Sequence, residues 1–284
     1  MTKISVAIIA RDRAKEIEAC LQSVRGVDEI VVLDTGSVDA TTRIALSNKA
    51  IVYYYRWDND FAAARNRVLD YVHHPWVLSI DTDEVLSTGV KSLYDCVNQN
   101  FSSKVVGVRI DQPNGSFFGA RLFRKDSVHW EREIHEALNR TPDVVTNDIA
   151  IKHNPSKDHA ADPERNIKIL RKTLERNPLS IMDVYYMGYE LHTIGKFDAA
   201  LYWLSLFIEI SRVTPNFTSE AYYLIADCYC NLHRVGRAID ALIESVKANP
   251  QMVASYERLY ALTRNESWAA KAHNATNDNV IQLR

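Results

Sequence analysis

Over residues 3–80 short apolar runs alternate with segments of helical spacing, and this rhythm constrains the fold more than anything else in the chain. Lys3–Ala10, Glu29–Leu33, Ile51–Tyr55 and Trp76–Ile80 are β-rich apolar stretches. Between them lie Lys15–Val24, with Ile17, Leu21 and Val24 in helical register, then Thr41–Ser47, then Ala62–Val72, with Ala64, Val68, Leu69 and Val72 on one side. Strand, helix, strand, helix implies a mostly parallel α/β sheet with right-handed crossovers. Continuous apolar runs suit strands buried on both faces. Val105–Phe123 is less regular and reads as strands around a turn at Pro113-Asn114-Gly115.

The composition changes near residue 155, and beyond Pro163 only helical periodicity remains. Two stretches, residues 185–201 and 222–239, repeat one another: Gly188 matches Ala226, and Ala200 matches Ala238. Asn177-Pro178 and Asn249-Pro250 punctuate the copies. Small residues at helix crossings and a proline after the second helix resemble the tetratricopeptide repeat. The copies are offset by more than the usual repeat length, which places an insertion at Arg212–Ser219. A third copy begins near Val253, and Asn274–Arg284 reads as a frayed tail. Two domains are therefore expected, 1–155 and 156–284.

With 34 Lys and Arg against 36 Asp and Glu, the chain carries a formal charge of −2 and is not built to coat a polyanion. No apolar run approaches the roughly 20 residues that span a bilayer, and the first ten residues read as a strand rather than a signal peptide. Cys20, Cys96, Cys228 and Cys230 lack a metal-site spacing and read as reduced thiols. A cytoplasmic protein is the expectation.

Chemistry concentrates in three segments. Trp76-Val77-Leu78-Ser79-Ile80-Asp81-Thr82-Asp83-Glu84 drives an apolar run into three carboxylates at a strand end, where ligands of open α/β sheets gather. Asp81 and Asp83 alternate around Thr82, so both can face one divalent cation; alone, the run reads equally as a solvated acidic turn capping a helix. Asp34-Thr35-Gly36-Ser37-Val38-Asp39 follows another strand end, with Asp34 at the exit and Ser37 or Asp39 placed to cap the next helix. Asp60-Phe61-Ala62-Ala63-Ala64-Arg65-Asn66 opens a helix with an N-cap and an arginine suited to phosphate.

In that order these segments strongly resemble the family 2 glycosyltransferases of the GT-A fold. Arg121-Leu122-Phe123-Arg124, Trp130 through Ile134-His135-Glu136, and Ile151-Lys152-His153 extend the resemblance. The helical tail makes the chain similar to the subgroup that includes bacterial peptide S-glycosyltransferases. The resemblance implies that Asp34 recognises the uracil or ribose, and that Arg65 and Asn66 lie near the sugar diphosphate. It implies that Asp83 binds the metal, that Asp81 contacts ribose or metal-bound water, and that His153 completes the metal site. Ala10-Arg11-Asp12-Arg13 departs from the usual Lys-Asn-Glu, which leaves Arg11 and Asp12 as weaker nucleotide contacts. Glu84 is expected to be structural.

A departing nucleoside diphosphate needs a counter-charge, which Mn²⁺ or Mg²⁺ held by carboxylates supplies. The acceptor needs a base on the opposite face of the sugar. Glu136 is the candidate base, with Glu133 and Asp111 as alternatives; His129, Trp130 and the Phe117-Phe118-Gly119 turn are expected to shape the pocket. The expectation is an inverting, metal-dependent transferase using a nucleotide-sugar, first of all a UDP-sugar. A peptide, protein or glycan is the favoured acceptor, and the helical repeats are expected to serve acceptor recognition or homo-oligomer formation. Two alternatives stand beside it: a transferase acting on hydroxymethylated bases of phage DNA, and a non-catalytic repeat scaffold carrying a relic sheet domain.

Overall fold

A computed structural model describes residues 2–113, 115–155, 162–211 and 215–277. The chain forms two compact units that divide near residue 160.

In the first unit, β1 (Ile4–Ala10), α1 (Ile17–Ser23), β2 (Glu29–Asp34), α2 (Thr41–Ser47), β3 (Ile51–Tyr54), α3 (Phe61–Tyr71) and β4 (Trp76–Ser79) follow the sequence rhythm to within two residues at each end. The chain continues through β5 (Glu84–Leu86), α4 (Val90–Gln99), β6 (Val105–Gln112), β7 (Gly115–Arg124), β8 (Trp130–Glu131), β9 (Ala137–Leu138) and β10 (Val144–His153). Eight strands form one sheet in the order β3-β2-β1-β4-β7-β6-β10-β5, and β8 pairs with β9 in a separate hairpin. β1–β2, β2–β3, β1–β4 and β6–β10 are parallel; β4–β7, β6–β7 and β5–β10 are antiparallel. The β6–β10 register jumps between Thr146, opposite Val108, and Ala150, opposite Arg109. Asn114 of the expected turn lies outside the described residues, but its flanking strands pair as the sequence predicts.

This is a GT-A-like sheet, and its order places the site. β1 sends its first crossover to β2 on one side and receives β4 on the other, so a crevice opens at the carboxyl ends of β1 and β4. Both faces of the sheet are covered. Ile4, Val6 and Ile8 of β1 pack with Ile17, Cys20 and Leu21 of α1 and with Leu93 and Val97 of α4. Ala7 faces the other way, into a cluster with Ala62, Ala64 and Val68 of α3 and with Trp130. The alanines along α3 let the helix lie close on the sheet, which carries Arg65 to the strand ends.

The second unit is all helix: α5 (Arg165–Arg176), α6 (Ile181–Thr193), α7 (Phe197–Ile210), α8 (Pro215–Asn231), α9 (Val235–Ala248), α10 (Val253–Thr263) and α11 (Glu266–Asn277). α6 packs on α7, α8 on α9 and α10 on α11. The two sequence repeats span the first two of these hairpins, and the third begins at Val253 as expected. Gly195 turns α6 into α7 with φ +76°, a conformation that favours glycine. Gly188 sits where the two helices touch: a Cβ there would lie 2.6 Å from Leu204 Cγ. Of the expected insertion, residues 212–214 lie outside the described residues, and Pro215–Ser219 form the first turn of α8. The added length therefore extends a helix, 17 residues in α8 against 13 in α6. Asn274–Asn277 likewise complete α11 instead of fraying; residues 278–284, and residues 156–161 at the expected domain boundary, lie outside the described residues. All four cysteines are free thiols. Among the described residues no helix is long and apolar enough to cross a membrane.

Candidate active site

The acidic run is a turn between two strands. β4 ends at Ser79, and Ile80 N still donates to Ala7 O at 3.2 Å. Glu84 N donates to Asp81 O at 3.0 Å, and Asp81 N donates to Glu84 Oε2 at 2.9 Å, which closes the turn. β5 then runs back along β10 and sets Glu84 opposite His153. The solvated helix cap is thereby set aside, since a buried strand follows the acids and Glu84 keeps only 3% side-chain exposure.

Two arginines bind this turn into a chain of alternating charge. Arg65 of α3, with 7% side-chain exposure, places Nη2 2.8 Å from Asp81 Oδ1 and Nε 2.7 Å from Glu136 Oε1. Its Nη1 donates to Ser79 Oγ at 3.3 Å, and its guanidinium lies 4.9 Å from the Trp130 ring centre. Arg121 of β7 reaches Asp81 Oδ2 at 3.1 Å and Glu84 Oε1 at 2.8 Å. Burial works against the charge on Arg65, and Asp81 and Glu136 more than offset it, holding the guanidinium above its ordinary pKa. Burial likewise opposes the charge on Asp81, but Arg65 and then Arg121 pull its carboxyl well below the usual range. For Glu84 burial prevails over Arg121 and its pKa is raised.

Two residues expected at the donor have protein partners in this structure. Asp81, expected at the ribose and in the metal site, has an arginine on each carboxylate oxygen. Arg65, expected at the diphosphate, bridges Asp81 and Glu136. Arg121 was absent from the sequence-derived site, although an arginine inside the otherwise apolar strand Leu122-Phe123 was a visible signal.

Asp83 and His153 stand apart from that chain. His153 Nε2 lies 3.5 Å from Asp83 Oδ2, and Asp83 O accepts from Asn154 N at 2.8 Å. Hydrogen bonding with Asp83 is the main cause that raises the His153 pKa. Gln112 Nε2 lies 3.3 Å from His153 Nδ1, a partner of the ring that the sequence did not reveal. Among the described residues no group of three or more His, Cys, Asp or Glu is placed to hold a metal ion. A carboxylate and an imidazole side by side nonetheless fit a divalent cation whose shell a diphosphate completes.

Glu136 is presented by the β8–β9 hairpin, which α3 holds in place. Asn66 Nδ2 donates to Trp130 O at 2.9 Å, and Trp130 N donates to Asn66 Oδ1 at 2.8 Å. Asn66, expected near the donor, thus has its amide committed at both ends to the hairpin backbone. Phe61 N donates to Glu133 O at 2.9 Å, so Glu133 meets the start of α3 through its carbonyl. Asp60 caps the same helix by accepting from Ala63 N at 2.8 Å. Within the hairpin loop Arg132 and His135 adopt φ of +73° and +52°, strained values for such side chains. The Arg132 guanidinium holds the loop by donating to His135 O at 3.1 and 2.7 Å. Asp111, the other alternative base, pairs with Arg109 at 3.0 Å on β6.

The β2 exit forms a self-contained turn. Asp34, almost fully buried, accepts from Ser37 N at 3.1 Å and Gly36 N at 3.3 Å. Asp12 N donates to Ser37 Oγ at 3.0 Å, while Val38 N donates back to Asp12 Oδ1 at 2.8 Å. Asp12 and Asp34 thus lock the β1 and β2 exits together, and Arg11 stands exposed beside them.

The sequence pattern of glycosyl transferase family 2 matches residues 5–154, more than half of the chain. The chain belongs to glycosyl transferase family 2. Every site residue above lies within this family 2 region. SunS, a prophage-derived glycosyltransferase of Bacillus subtilis, is 29% identical over 219 residues, covering 71% of this chain and 52% of SunS. A TPR repeat-containing protein of Synechococcus elongatus is 42% identical over 145 residues, 49% of this chain and 36% of that protein. The family 2 chain therefore spans about half the length of SunS and about a third of the cyanobacterial relative. Among solved structures, TarS of S. aureus overlays 86% of this chain and 55% of its own at a TM-score of 0.48 and 16% identity.

Proposed function

We infer that the sheet unit transfers a sugar from a nucleotide diphosphate, first of all a UDP-sugar, to an acceptor, with inversion at the anomeric carbon. The observation that carries this reading is the meeting of three distant motifs at one crevice: Arg65 joins Asp81 and Glu136 within 2.8 Å. The Asp83–His153 pair lies on the same acidic turn.

Asp83 and His153 would hold Mn²⁺ or Mg²⁺, which supplies counter-charge for the departing diphosphate. Asp34 and the interlocked turn with Asp12 shape the nucleoside side of the crevice, and Arg11 stands at its rim. Arg65 positions Asp81 on one flank and Glu136 on the other. Glu136, with 13% side-chain exposure, is the base that takes the acceptor proton; the β8–β9 hairpin keeps it beside the crevice and limits water around it. Arg65 must yield part of its hold on Glu136 for that proton to be accepted. A peptide or protein is the proposed acceptor, by resemblance to the peptide-modifying subgroup, with the helical repeats recognising it.

The test is a panel of nucleotide-sugars with Mn²⁺, read by melting shift and by donor hydrolysis. A UDP-sugar should raise the melting temperature only with the metal, and Asp83→Asn should abolish that rise. Glu136→Gln should keep the melting shift while turnover falls by about 10²-fold or more. If no nucleotide-sugar stabilises the protein and Asp83→Asn changes nothing, the reading is wrong.

A further inference from the structure

The opposite end of the sheet carries a second cavity that the transferase reading leaves unused. It measures about 530 Å³ and lies where β1 and β4 begin, bounded by Lys3, His74, Pro75, Trp76, Phe101 and Arg124. Three of these residues can carry positive charge, and among the described residues no carboxylate lines the cavity. Asp28 is held outside the lining: it accepts from Ile4 N at 3.0 Å and Tyr94 Oη at 2.6 Å, and the charges of His74 and Lys3 help to lower its pKa. Arg124 has a weaker tie, since its Nη1 donates to Phe101 O at a long 3.4 Å. Its guanidinium otherwise stands between two aromatic rings, 6.0 Å from the Trp76 centre and 5.5 Å from the Phe101 centre.

Trp76 is fully buried beneath the cavity, so its indole closes the floor and offers a ligand no donor. Phe101 is a large apolar ring left 61% exposed on the rim. Guanidinium, ammonium and imidazole beside an apolar wall together match an anionic oxygen group carried on an apolar or aromatic body. A phosphate ester has that chemistry: its oxygens accept from Arg124 and Lys3, and its organic part covers Phe101 and Pro75.

We propose that this cavity is a phosphate-ester site, separate from the crevice at the carboxyl ends of β1 and β4. The strand β1 separates the two by its own length, about 20 Å at 3.3 Å per residue. The group bound is the phosphate monoester itself, and it can come from a free metabolite or from a lipid headgroup.

The experiment is calorimetric titration of the full chain with phenyl phosphate, with inorganic phosphate, and with phosphatidylcholine vesicles with and without phosphatidic acid. Saturable binding of phenyl phosphate, weakened about tenfold by Arg124→Gln and measurably by Lys3→Gln, supports a site for free esters. Binding confined to the phosphatidic acid vesicles, with the same dependence on Arg124, supports a headgroup site. Asp83→Asn should leave the affinity unchanged, which separates this cavity from the donor crevice whether or not the transferase reading holds. The proposal is overturned if none of the probes binds, or if binding survives Arg124→Gln and Lys3→Gln intact.

Discussion

Replacing Arg121 by methionine tests the buried charge chain directly. Arg121 keeps 16% side-chain exposure and is the guanidinium that reaches Glu84, which keeps 3%. Breaking one partner of a buried ion pair costs about 3–5 kcal/mol, because the other charge stays behind without compensation. Asp81 retains Arg65 at 2.8 Å, so the loss falls on Glu84 and the lower end applies, about 3 kcal/mol at pH 8. The penalty has a definite pH dependence. Burial already raises the Glu84 pKa, and removing Arg121 raises it further. A carboxyl whose folded pKa exceeds its unfolded value binds more protons in the folded state, so stability falls as pH rises through that interval. Arg121→Met should therefore cost most at pH 8 and progressively less as pH falls towards about 5, near the ordinary glutamate range. Adding Glu84→Gln removes the stranded charge while an amide oxygen can still accept from Asp81 N, so the double variant should recover most of the loss. Urea unfolding followed by tryptophan fluorescence in a Trp203→Phe, Trp268→Phe background, which leaves Trp57, Trp76 and Trp130, reads the sheet unit. A pH-independent loss, or a double variant as unstable as the single one, would refute the reasoning.

Three further outcomes follow from the geometry. Asn66→Ala removes two hydrogen bonds to the Trp130 backbone and should cost about 1–3 kcal/mol; on the proposed reaction kcat should fall more than KM for the donor rises, measured by steady-state kinetics. Asp143 accepts from Lys104 N, Val105 N and Arg140, and these bonds, the one from Arg140 foremost, hold its pKa at about 2. Because that value is depressed, its stabilisation is complete above the unfolded aspartate pKa and is lost as pH falls through about 2, so Asp143→Asn should be less stable by about 1 kcal/mol at pH 6 and indistinguishable from wild type near pH 2 in denaturant titrations. Gly188→Ala forces a methyl against Leu204 and should destabilise the helical unit by about 1–3 kcal/mol, seen as a lower midpoint in the circular dichroism melt.

The strand–helix rhythm of the first 80 residues and the helical repeats were legible because both are written as local periodicity. Trp76–Ser79 is a run of four apolar or small residues on a buried strand, and Gly188 and Ala226 mark helix crossings by size alone. What was not legible depends on contacts between distant segments. β5 is three residues long and exists only because β10 returns beside it. The residues of the acidic turn were visible, but the division of labour among them was not: Asp81 is claimed by arginines from α3 and β7, 16 and 40 positions away. Nothing local shows that Trp130, 64 residues on, takes both ends of the Asn66 amide.

The break in the β6–β10 register has a consequence for chain length. β10 spends three residues, 147–149, where β6 spends none, so about 10 Å of strand is taken out of line. The strand thereby carries two separately indexed rulers. Residues 144–146 are indexed to the start of β6, and residues 150–153 to β5 and the acidic turn. A homologue can gain or lose residues in 147–149 and keep His153 beside Asp83. One residue inserted between 150 and 153 would instead exchange the two faces of the strand and turn the imidazole away from the carboxylate.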